Sequence, residues 1–296
     1  MSDTKIKIAI QKSGRLASDS LELLAKCGIR LTKGKNQLFC TAQNFPLDVF
    51  FVRDDDIPSF VSSNVCQIGI VGQNVLNEKQ LDFLDDKMVD LDVLMPLGFG
   101  KCRLSLAGPK DFYYNDPQCL TGKTIATSYA ATLKKFLTDN GVNARIVNMS
   151  GAVEIAPRIK MADLICDLVS TGGTLAANGL YELKTIVKSQ SVLIGGRDAT
   201  STQKMILERL IMRIKGVQEA ETRKYIMMNA PASALNAIKK ILPGSSSPTI
   251  IPLQESDDLV AIHAVCMENV FWETMEDLKA LGASAILVMP IGKMLD

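Results

Sequence analysis

The sequence predicts an α/β protein with two lobes and a cleft between them, followed by a smaller domain of four strands and two helices. Three observations predict it. The chain twice runs through strand, polar turn, helix, glycine and strand. Each copy then continues into a buried strand that enters a glycine-containing helix start. The stretch from residue 224 onward reads β-α-β-β-α-β, the ferredoxin-like plan, and does not repeat the lobe pattern. At 296 residues the chain has room for two or three domains of roughly 100–150 residues each.

The first copy opens with the strand Ile6-Lys7-Ile8-Ala9-Ile10 and the polar turn Gln11-Lys12-Ser13-Gly14. A helix with Leu16, Leu21, Leu23 and Leu24 follows, Gly28 ends it, and Ile29-Arg30-Leu31 is expected as the next strand. The second copy is Lys123-Thr124-Ile125-Ala126, the turn Thr127-Ser128-Tyr129, a helix with Leu133, Phe136 and Leu137, Gly141, and the strand Ala144-Arg145-Ile146-Val147. The continuing strands are Val65 to Gly72, entering Gln73-Asn74-Val75-Leu76, and Ala162 to Cys166, entering Asp167 to Leu175. Lobes of this kind hold ligands at the carboxyl ends of their strands, where all four polar turns fall.

Crossings between the lobes are expected near Gly98-Phe99-Gly100 and near residues 188–193. They assign residues 1–100 and 189–216 to lobe I and 101–188 to lobe II. A helix is expected at 201–216, with Met205, Ile206, Leu210 and Ile214 on one stripe and Gly216 at its end. In the domain at 224–296, Tyr225-Ile226-Met227-Met228 is a strand. Pro231 starts a helix with Leu235, Ile238 and Ile241, which Leu242-Pro243-Gly244 ends. Strands at Thr249-Ile250-Ile251 and 259–265 follow, then a helix with Phe271, Met275 and Leu278, and the strand Ala285-Ile286-Leu287-Val288.

Composition narrows the function. Lys plus Arg (33) balances Asp plus Glu (32), which gives no field for nucleic acid or a membrane surface. An anionic ligand must therefore be held by local groups. No segment approaches the ~20 apolar residues of a membrane span, and the N-terminus lacks a signal-type apolar stretch. The seven scattered cysteines form no C-x-x-C pair, so neither a zinc site nor a disulfide framework is indicated, and a reducing, cytoplasmic location is the expectation. The single histidine, His263, lies in an apolar alternation and excludes a His-rich metal site.

The stretch Asp167-Leu168-Val169-Ser170-Thr171-Gly172-Gly173-Thr174 carries most of the chemistry. An acid stands at the expected strand end, and a hydroxyl and glycine run opens a helix. Such a turn points backbone N–H groups at a phosphate while the acid reaches sugar hydroxyls or a metal. Glu154, near a helix start at Ser150-Gly151, either joins Asp167 on a magnesium ion or a ribose, or is a helix-N-terminal charge. Lys12-Ser13-Gly14-Arg15 is either a triphosphate site or a solvated turn. In Arg53-Asp54-Asp55-Asp56-Ile57-Pro58, Asp56 suits an N-cap, and Arg53 at the strand end is the better ligand-facing candidate. No Walker A or G-x-G-x-x-G pattern is present.

Over essentially its whole length the chain resembles the ATP phosphoribosyltransferases of histidine biosynthesis, in their long form. The motifs that carry the resemblance are Gln11 to Leu16, Val52 to Pro58, Gly69 to Leu76, Cys102-Arg103-Leu104-Ser105-Leu106, Glu154 to Leu175 and Gly282 to Val288. The resemblance implies two periplasmic-binding-protein-like lobes and a ferredoxin-like regulatory domain. It also implies the reaction: ATP and phosphoribosyl pyrophosphate give phosphoribosyl-ATP and pyrophosphate, with magnesium required. Asp167, Leu168, Val169, Ser170, Thr171, Gly172, Gly173 and Thr174 would bind the phosphoribosyl donor. Lys12, Gly14, Arg15, Leu16, Arg53, Gly72, Asn74 and Arg103 would line the ATP side. Glu154, Asp167 and Arg15 would act in catalysis, with Glu154 and Asp167 at the magnesium ion. Histidine would inhibit at Asn229, Thr249 and Ala285, in a homo-oligomer that interconverts between dimer and hexamer. Lys160 stands where the family usually has glycine; if that glycine needs a positive φ, the local helix end is expected to differ here. The competing class is a two-lobed small-molecule-binding protein with a regulatory tail, which would not need a second acid beside a phosphate turn. An inactive regulatory paralogue related to histidyl-tRNA synthetase would carry extra regions that this chain lacks.

Overall fold

The structure is a computed structural model. It describes all residues except 1–4, 33, 35–36, 83–90, 243–247, 255–257, 268–271 and 296. Two compact units divide the chain: Met1–Glu22 with Ile29–Ile206, and Leu23–Gly28 with Leu207–Asp296.

The first unit begins with β1 (Ile6–Gln11), α1 (Arg15–Lys26), β2 (Phe39–Thr41) and β3 (Leu47–Val52). After a 3-10 turn at Asp54–Asp56 come α2 (Ile57–Ser62), β4 (Ile68–Gly72), α3 (Gln73–Asp82) and β5 (Asp92–Pro96). Then follow β6 (Cys102–Pro109), β7 (Thr124–Thr127), α4 (Ala130–Asp139), β8 (Arg145–Asn148), a 3-10 turn at Val153–Ile155, β9 (Leu164–Val169), α5 (Gly173–Ala177), β10 (Leu180–Ser189) and β11 (Ser191–Gly195). Two sheets result, ordered β2-β3-β1-β4-β11-β5 and β10-β6-β9-β7-β8. In the first, β3, β1 and β4 are parallel; in the second, β9, β7 and β8 are parallel. The chain leaves the first sheet after β5 and returns through Gln190, which joins β10 to β11.

Period-two alternation sets which side chains face which layer of the second sheet. Leu104, Leu106, Ile125, Leu164 and Cys166 bury against Leu133 and Leu137 of α4. Their neighbours Ala107, Ala126, Ile165 and Val169 bury on the other face with Val153, Ala156 and Leu175. A sheet covered on both faces needs near-continuous apolar strands, which is why β9 begins Leu-Ile-Cys. In the first sheet, Ala9, Val71 and Ile194 pack on Ile57 and Val61 of α2 and on Val75 and Leu76 of α3.

Helix α6 (Ser201–Glu221) leads into β12 (Arg223–Pro231), α7 (Leu235–Ile241), β13 (Thr249–Pro252), β14 (Leu259–Met267), α8 (Trp272–Ala280) and β15 (Ser284–Pro290). These last strands form an antiparallel sheet ordered β13-β14-β12-β15, the expected βαββαβ plan. Ile226, Met228 and Ala230 alternate onto one face with Val260, Ile262 and Ala264, and Ile238 and Leu278 of the two helices complete that core.

Several local expectations change. Ile29-Arg30-Leu31 is not a strand; only the bridge Leu31–Ala42 forms. Its backbone groups are taken elsewhere: Arg30 N–H donates to the Asn44 side chain and Arg30 C=O accepts from Gln43 N–H. Helix α6 does not stop at Gly216 but runs five residues further, to Glu221. A Cβ at Gly216 would stand 2.7 Å from the Met294 carbonyl, so this glycine serves close packing and not termination. Pro231 closes β12 and also caps a 3-10 turn at Ala232–Ala234, which runs into the α-helix at Leu235. Lys160 keeps the left-handed conformation, φ +58°, that a glycine would have. Lys160 N–H donates to Pro157 C=O and Met161 N–H to Ala156 C=O, a Schellman ending, so the local geometry does not change. Pro243, Gly244 and Phe271 lie outside the described residues.

Candidate functional site

Parallel strands deliver their carboxyl ends to one edge of each sheet. In the first sheet Gln11 pairs with Val52, and Lys12 N–H donates to Val52 C=O at 2.8 Å, so the turns after β1 and β3 rise side by side. Lys12, Gly14 and Arg15 occupy one turn, with Leu16 half-buried behind it, and Arg53 occupies the other. The side chains of Lys12, Arg15 and Arg53 are exposed and make no salt bridge or side-chain hydrogen bond among the described residues. Three unpaired cations or near-neighbours at adjacent strand ends are suited to an anionic ligand.

Asp56 stands at the N-cap position of α2 with Pro58 in the first turn, but its side chain makes no capping bond. Asp54 is the unusual member of the run. Its Oδ1 is buried without a hydrogen-bond donor from the protein. Burial first, and the charge of Asp55 second, push its carboxyl above the usual range.

The turn after β4 is held from within. Asn74 is 7% exposed. Its N–H donates to Ser189 Oγ at 3.0 Å, and its Oδ1 accepts from the same hydroxyl at 2.8 Å. Its Nδ2 donates to the Tyr129 hydroxyl at 2.9 Å. A Cβ at Gly72 would come within 2.5 Å of Asn74 Oδ1, so glycine there lets the amide lie across the backbone. Asn74 is thus committed to fastening the two sheets together.

The second sheet supplies the acids and the phosphate-type turn. Glu154 lies in the three-residue 3-10 turn after β8 and not on a longer helix. Asp167 lies within β9, which runs two residues further to Val169. Its Oδ1 accepts from Leu168 N–H at 2.8 Å. Burial pushes the Asp167 carboxyl up, the Leu168 bond opposes this, and nearby Glu154 raises it further. Leu168 is exposed and Val169 is buried. Ser170, Thr171, Gly173 and Thr174 are exposed, and Gly172, at φ +83°, turns the chain into α5. The backbone N–H groups of Thr171, Gly172, Gly173 and Thr174 donate to no protein acceptor among the described residues. Arg103 does not extend freely toward the first sheet. It forms a fork with Glu182 and donates to Ser170 C=O at 3.1 Å, which anchors the start of the turn.

Sequence reasoning missed two residues in this region. Tyr129 ends the turn after β7, the counterpart of the Lys12–Arg15 turn. Burial pushes its phenol up, the Asn74 hydrogen bond opposes this, and the charges of Asp54, Asp167 and Asp55 add to it. Tyr129 therefore lies between the acids of both sheets; the Thr127-Ser128-Tyr129 turn was the signal for it. Glu78 of α3 had no signal, because it reads as an ordinary helix-surface acid. Its carboxylate accepts from Ala131 N–H at 2.7 Å, Thr132 N–H at 2.8 Å and Thr132 Oγ1 at 2.6 Å. It caps α4, whose own N-cap residue, Tyr129, makes no side-chain cap bond.

In the second unit, Asn229 of β12 pairs with Ser284, next to Ala285 at φ +47° beside a register shift. Thr249 lies two strands away, opposite His263 on β14. Tyr225 hydrogen-bonds His263 Nδ1 across β12 and β14. Among the described residues no group of three or more His, Cys, Asp or Glu side chains could hold a metal, and no helix is long and apolar enough to cross a membrane.

A family model described as ATP phosphoribosyltransferase matches residues 53–216, and one described as HisG, C-terminal domain, matches residues 220–293. The chain is similar to the solved ATP phosphoribosyl transferase (HisG:HisZ) complex from Thermotoga maritima. The identity is 28% and the TM-score 0.59, covering 71% of this chain and 98% of that one. It is also similar, at 14% identity and a TM-score of 0.46, to the alkanesulfonate-binding protein SsuA from Xanthomonas axonopodis pv. citri, covering 80% of this chain and 77% of that one. The aliphatic sulphonate binding protein SsuA from Escherichia coli gives 12% identity and a TM-score of 0.48, covering 72% of this chain and 68% of that one.

Proposed function

This chain belongs to the ATP phosphoribosyltransferase family, the enzymes of the first step of histidine biosynthesis, in the long form that carries the HisG C-terminal domain, and we propose that it transfers phosphoribosyl from phosphoribosyl pyrophosphate to an adenine ring nitrogen of ATP. The observation that carries the reading is the pairing of two unlike edges. One bears Lys12, Arg15 and Arg53 without side-chain partners; the other bears Glu154, Asp167 and four backbone N–H groups without acceptors.

On this reading, residues 1–100 with 189–216 form the ATP lobe, residues 101–188 the donor lobe and residues 224–296 the regulatory domain. The N–H groups of Thr171 to Thr174 and the hydroxyls of Ser170, Thr171 and Thr174 hold the donor's 5-phosphate. Asp167 and Glu154 accept from its ribose hydroxyls. Lys12, Arg15 and Arg53, with Gly14, Leu16, Gly72 and Asn74 shaping the wall, hold ATP. The ring nitrogen's lone pair forms the new C–N bond at the anomeric carbon as the bond to the pyrophosphate oxygen breaks, and the electron pair leaves with pyrophosphate. A neutral ring nitrogen needs no strong base, so a chain with a single histidine is adequate to the chemistry. Positive charge grows on the ribose beside Glu154 and Asp167, and these carboxylates stabilise it. Catalysis is positioning plus electrostatics.

Enzymes of this family are generally magnesium-dependent. Two neighbouring carboxylates, one of them pushed up first by burial and further by its neighbour's charge, fit an ion that takes one or two carboxylates and completes its shell with substrate phosphates. Glu154 and Asp167 would hold it, and it would neutralise the departing pyrophosphate. Histidine would bind around Asn229, Thr249 and Ala285 and inhibit by differential affinity for two states of a cytoplasmic dimer–hexamer equilibrium.

Pyrophosphate release is expected only when ATP, phosphoribosyl pyrophosphate and magnesium are present together; no turnover with all three would end the proposal. Arg15→Ala should raise the KM for ATP far more than that for the donor, and Thr171→Ala should do the reverse. Equal effects on both constants would show that the edges are wrongly assigned.

A further inference from the structure

The two sheets of the first unit are joined by two chain crossings, residues 97–101 between β5 and β6 and Gln190 between β10 and β11. The crossings are bonded to each other. Leu97 N–H donates to Ser191 C=O at 2.9 Å, and Ser191 N–H to Phe99 C=O at 3.0 Å. Adjacent crossing segments of this kind are by themselves a hinge, about which two lobes open and close. Helix α3 changes that. Its first N–H groups, the orphan donors of any helix start, are planted on the second crossing. Gln73 N–H donates to Gln190 C=O at 2.9 Å, and Asn74 N–H to Ser189 Oγ at 3.0 Å.

From that footing one face of α3 reaches the helix that covers the other sheet. Asn74 and Glu78 are four residues apart and therefore lie on one face, a turn apart. Asn74 Nδ2 meets the Tyr129 hydroxyl, and the Glu78 carboxylate meets Ala131 and Thr132, so both grip the start of α4. A helix start normally satisfies those N–H groups with its own Ser, Thr, Asp or Asn. Tyr129 makes no such bond, so the position of α4 depends on an acid from α3. Both ends of this link stand beside the candidate site. Helix α3 starts directly after Gly72, at the carboxyl end of β4. Helix α4 follows β7, whose Thr127 is the register partner of Cys166, the residue before Asp167.

We propose that Glu78 is a positioning residue for the transfer, which with Asn74 makes α3 a strut that fixes the reach between the ATP edge and the donor edge. The proposal rests on the reading above, in which those edges hold the two substrates. Glu78 acts through α4, because its carboxylate is spent on three donors there. Displacement at the anomeric carbon needs the adenine nitrogen within about 3–3.5 Å, and a misplacement of about 1 Å costs about a hundredfold in rate. A cleft free to swing on its crossings holds that approach for only part of the time. A strut holds it throughout.

The test is single-turnover release of pyrophosphate by the full-length protein and by Glu78→Ala, Glu78→Gln and Thr132→Val. Both substrates and magnesium are saturating, at a temperature where calorimetry shows every variant folded. In Glu78→Ala the rate should fall roughly 10- to 100-fold. The KM values for ATP and for the donor should each stay within about twofold, since each edge keeps its own contacts. Glu78→Gln retains an acceptor and should recover part of the rate. Thr132→Val keeps both N–H bonds, so it folds even where Glu78→Ala does not, and its rate should lie between those of wild type and Glu78→Ala. A merely structural role would lower the melting temperature and leave the single-turnover rate of the folded variants at the wild-type value, which would overturn the proposal. A rise confined to one KM would also overturn it, because it would mean that Glu78 serves one substrate and not the gap between two. Failure of the functional reading looks different: wild type itself would then release no pyrophosphate with both substrates and magnesium present.

Discussion

Replacing Glu78 with alanine should cost the first unit far more stability than a helix-surface acid normally contributes. The carboxylate receives three hydrogen bonds from the first turn of α4, on the other sheet, and Thr132 is 8% exposed. Hydrogen bonds to a charged group contribute about 1.5–3 kcal/mol each when taken singly, and a helix cap about 1 kcal/mol. The three share one half-exposed carboxylate and do not add, so about 3 kcal/mol is the expected total. For a unit of this size that corresponds to a melting temperature lower by about 6–12 °C. Glu78→Gln keeps one acceptor oxygen and should lose about half as much. Differential scanning calorimetry on the two variants, with Thr132→Val and the Glu78→Ala/Thr132→Val double variant, closes a cycle. A coupling energy of at least about 0.5 kcal/mol is expected. If Glu78→Ala melts within 2 °C of wild type, as estimated from the same scale, or if the pair behaves additively, the capping argument is wrong.

Two further outcomes are expected. Lys160→Gly should raise stability by about 0.5–1 kcal/mol, because relief of the left-handed backbone outweighs the added chain entropy; thermal melting checks it, and a loss would contradict the strain. Arg103 holds the Glu182 carboxyl down, to about 2 from the ordinary 4.5. A depressed folded pKa contributes stability that is fully present above pH 4.5 and lost as pH falls toward 2. The stability curves of wild type and Glu182→Gln should therefore differ above pH 4.5 and converge toward pH 2; parallel curves throughout would refute the pairing.

Much of the fold is legible in the sequence because it depends on local signals. Glycines at 28 and 141 stop α1 and α4 through backbone conformation alone, and the apolar runs at 68–71 and 164–166 are long and unbroken because both their faces are buried. The polar turns at Lys12–Arg15 and Ser170–Thr174 stand out because each interrupts an apolar pattern at a strand end. Where local reading failed, a distant partner had overridden the signal. Gly216 resembles a helix stop until Met294 is seen against it. Arg103 resembles a free cation until Glu182 takes it, and Asn74 resembles a ligand-facing amide until Ser189 and Tyr129 occupy it.

By itself the sequence determined the two-lobe plan, the βαββαβ tail, and the residue types at each strand end. These follow from periodicity, turn chemistry and the motifs shared with the family. Only the tertiary structure decided which of those residues are spent and which are free. Asn74, Arg103 and Glu78 are consumed in holding the first unit together. Lys12, Arg15, Arg53, Lys101 and Lys188 keep their charges open, and Asp54 keeps a buried oxygen without a protein donor. The physical reason is that hydrogen bonds and charge pairing act over a few ångströms in space. The residues they join here lie 53 to 115 positions apart along the chain.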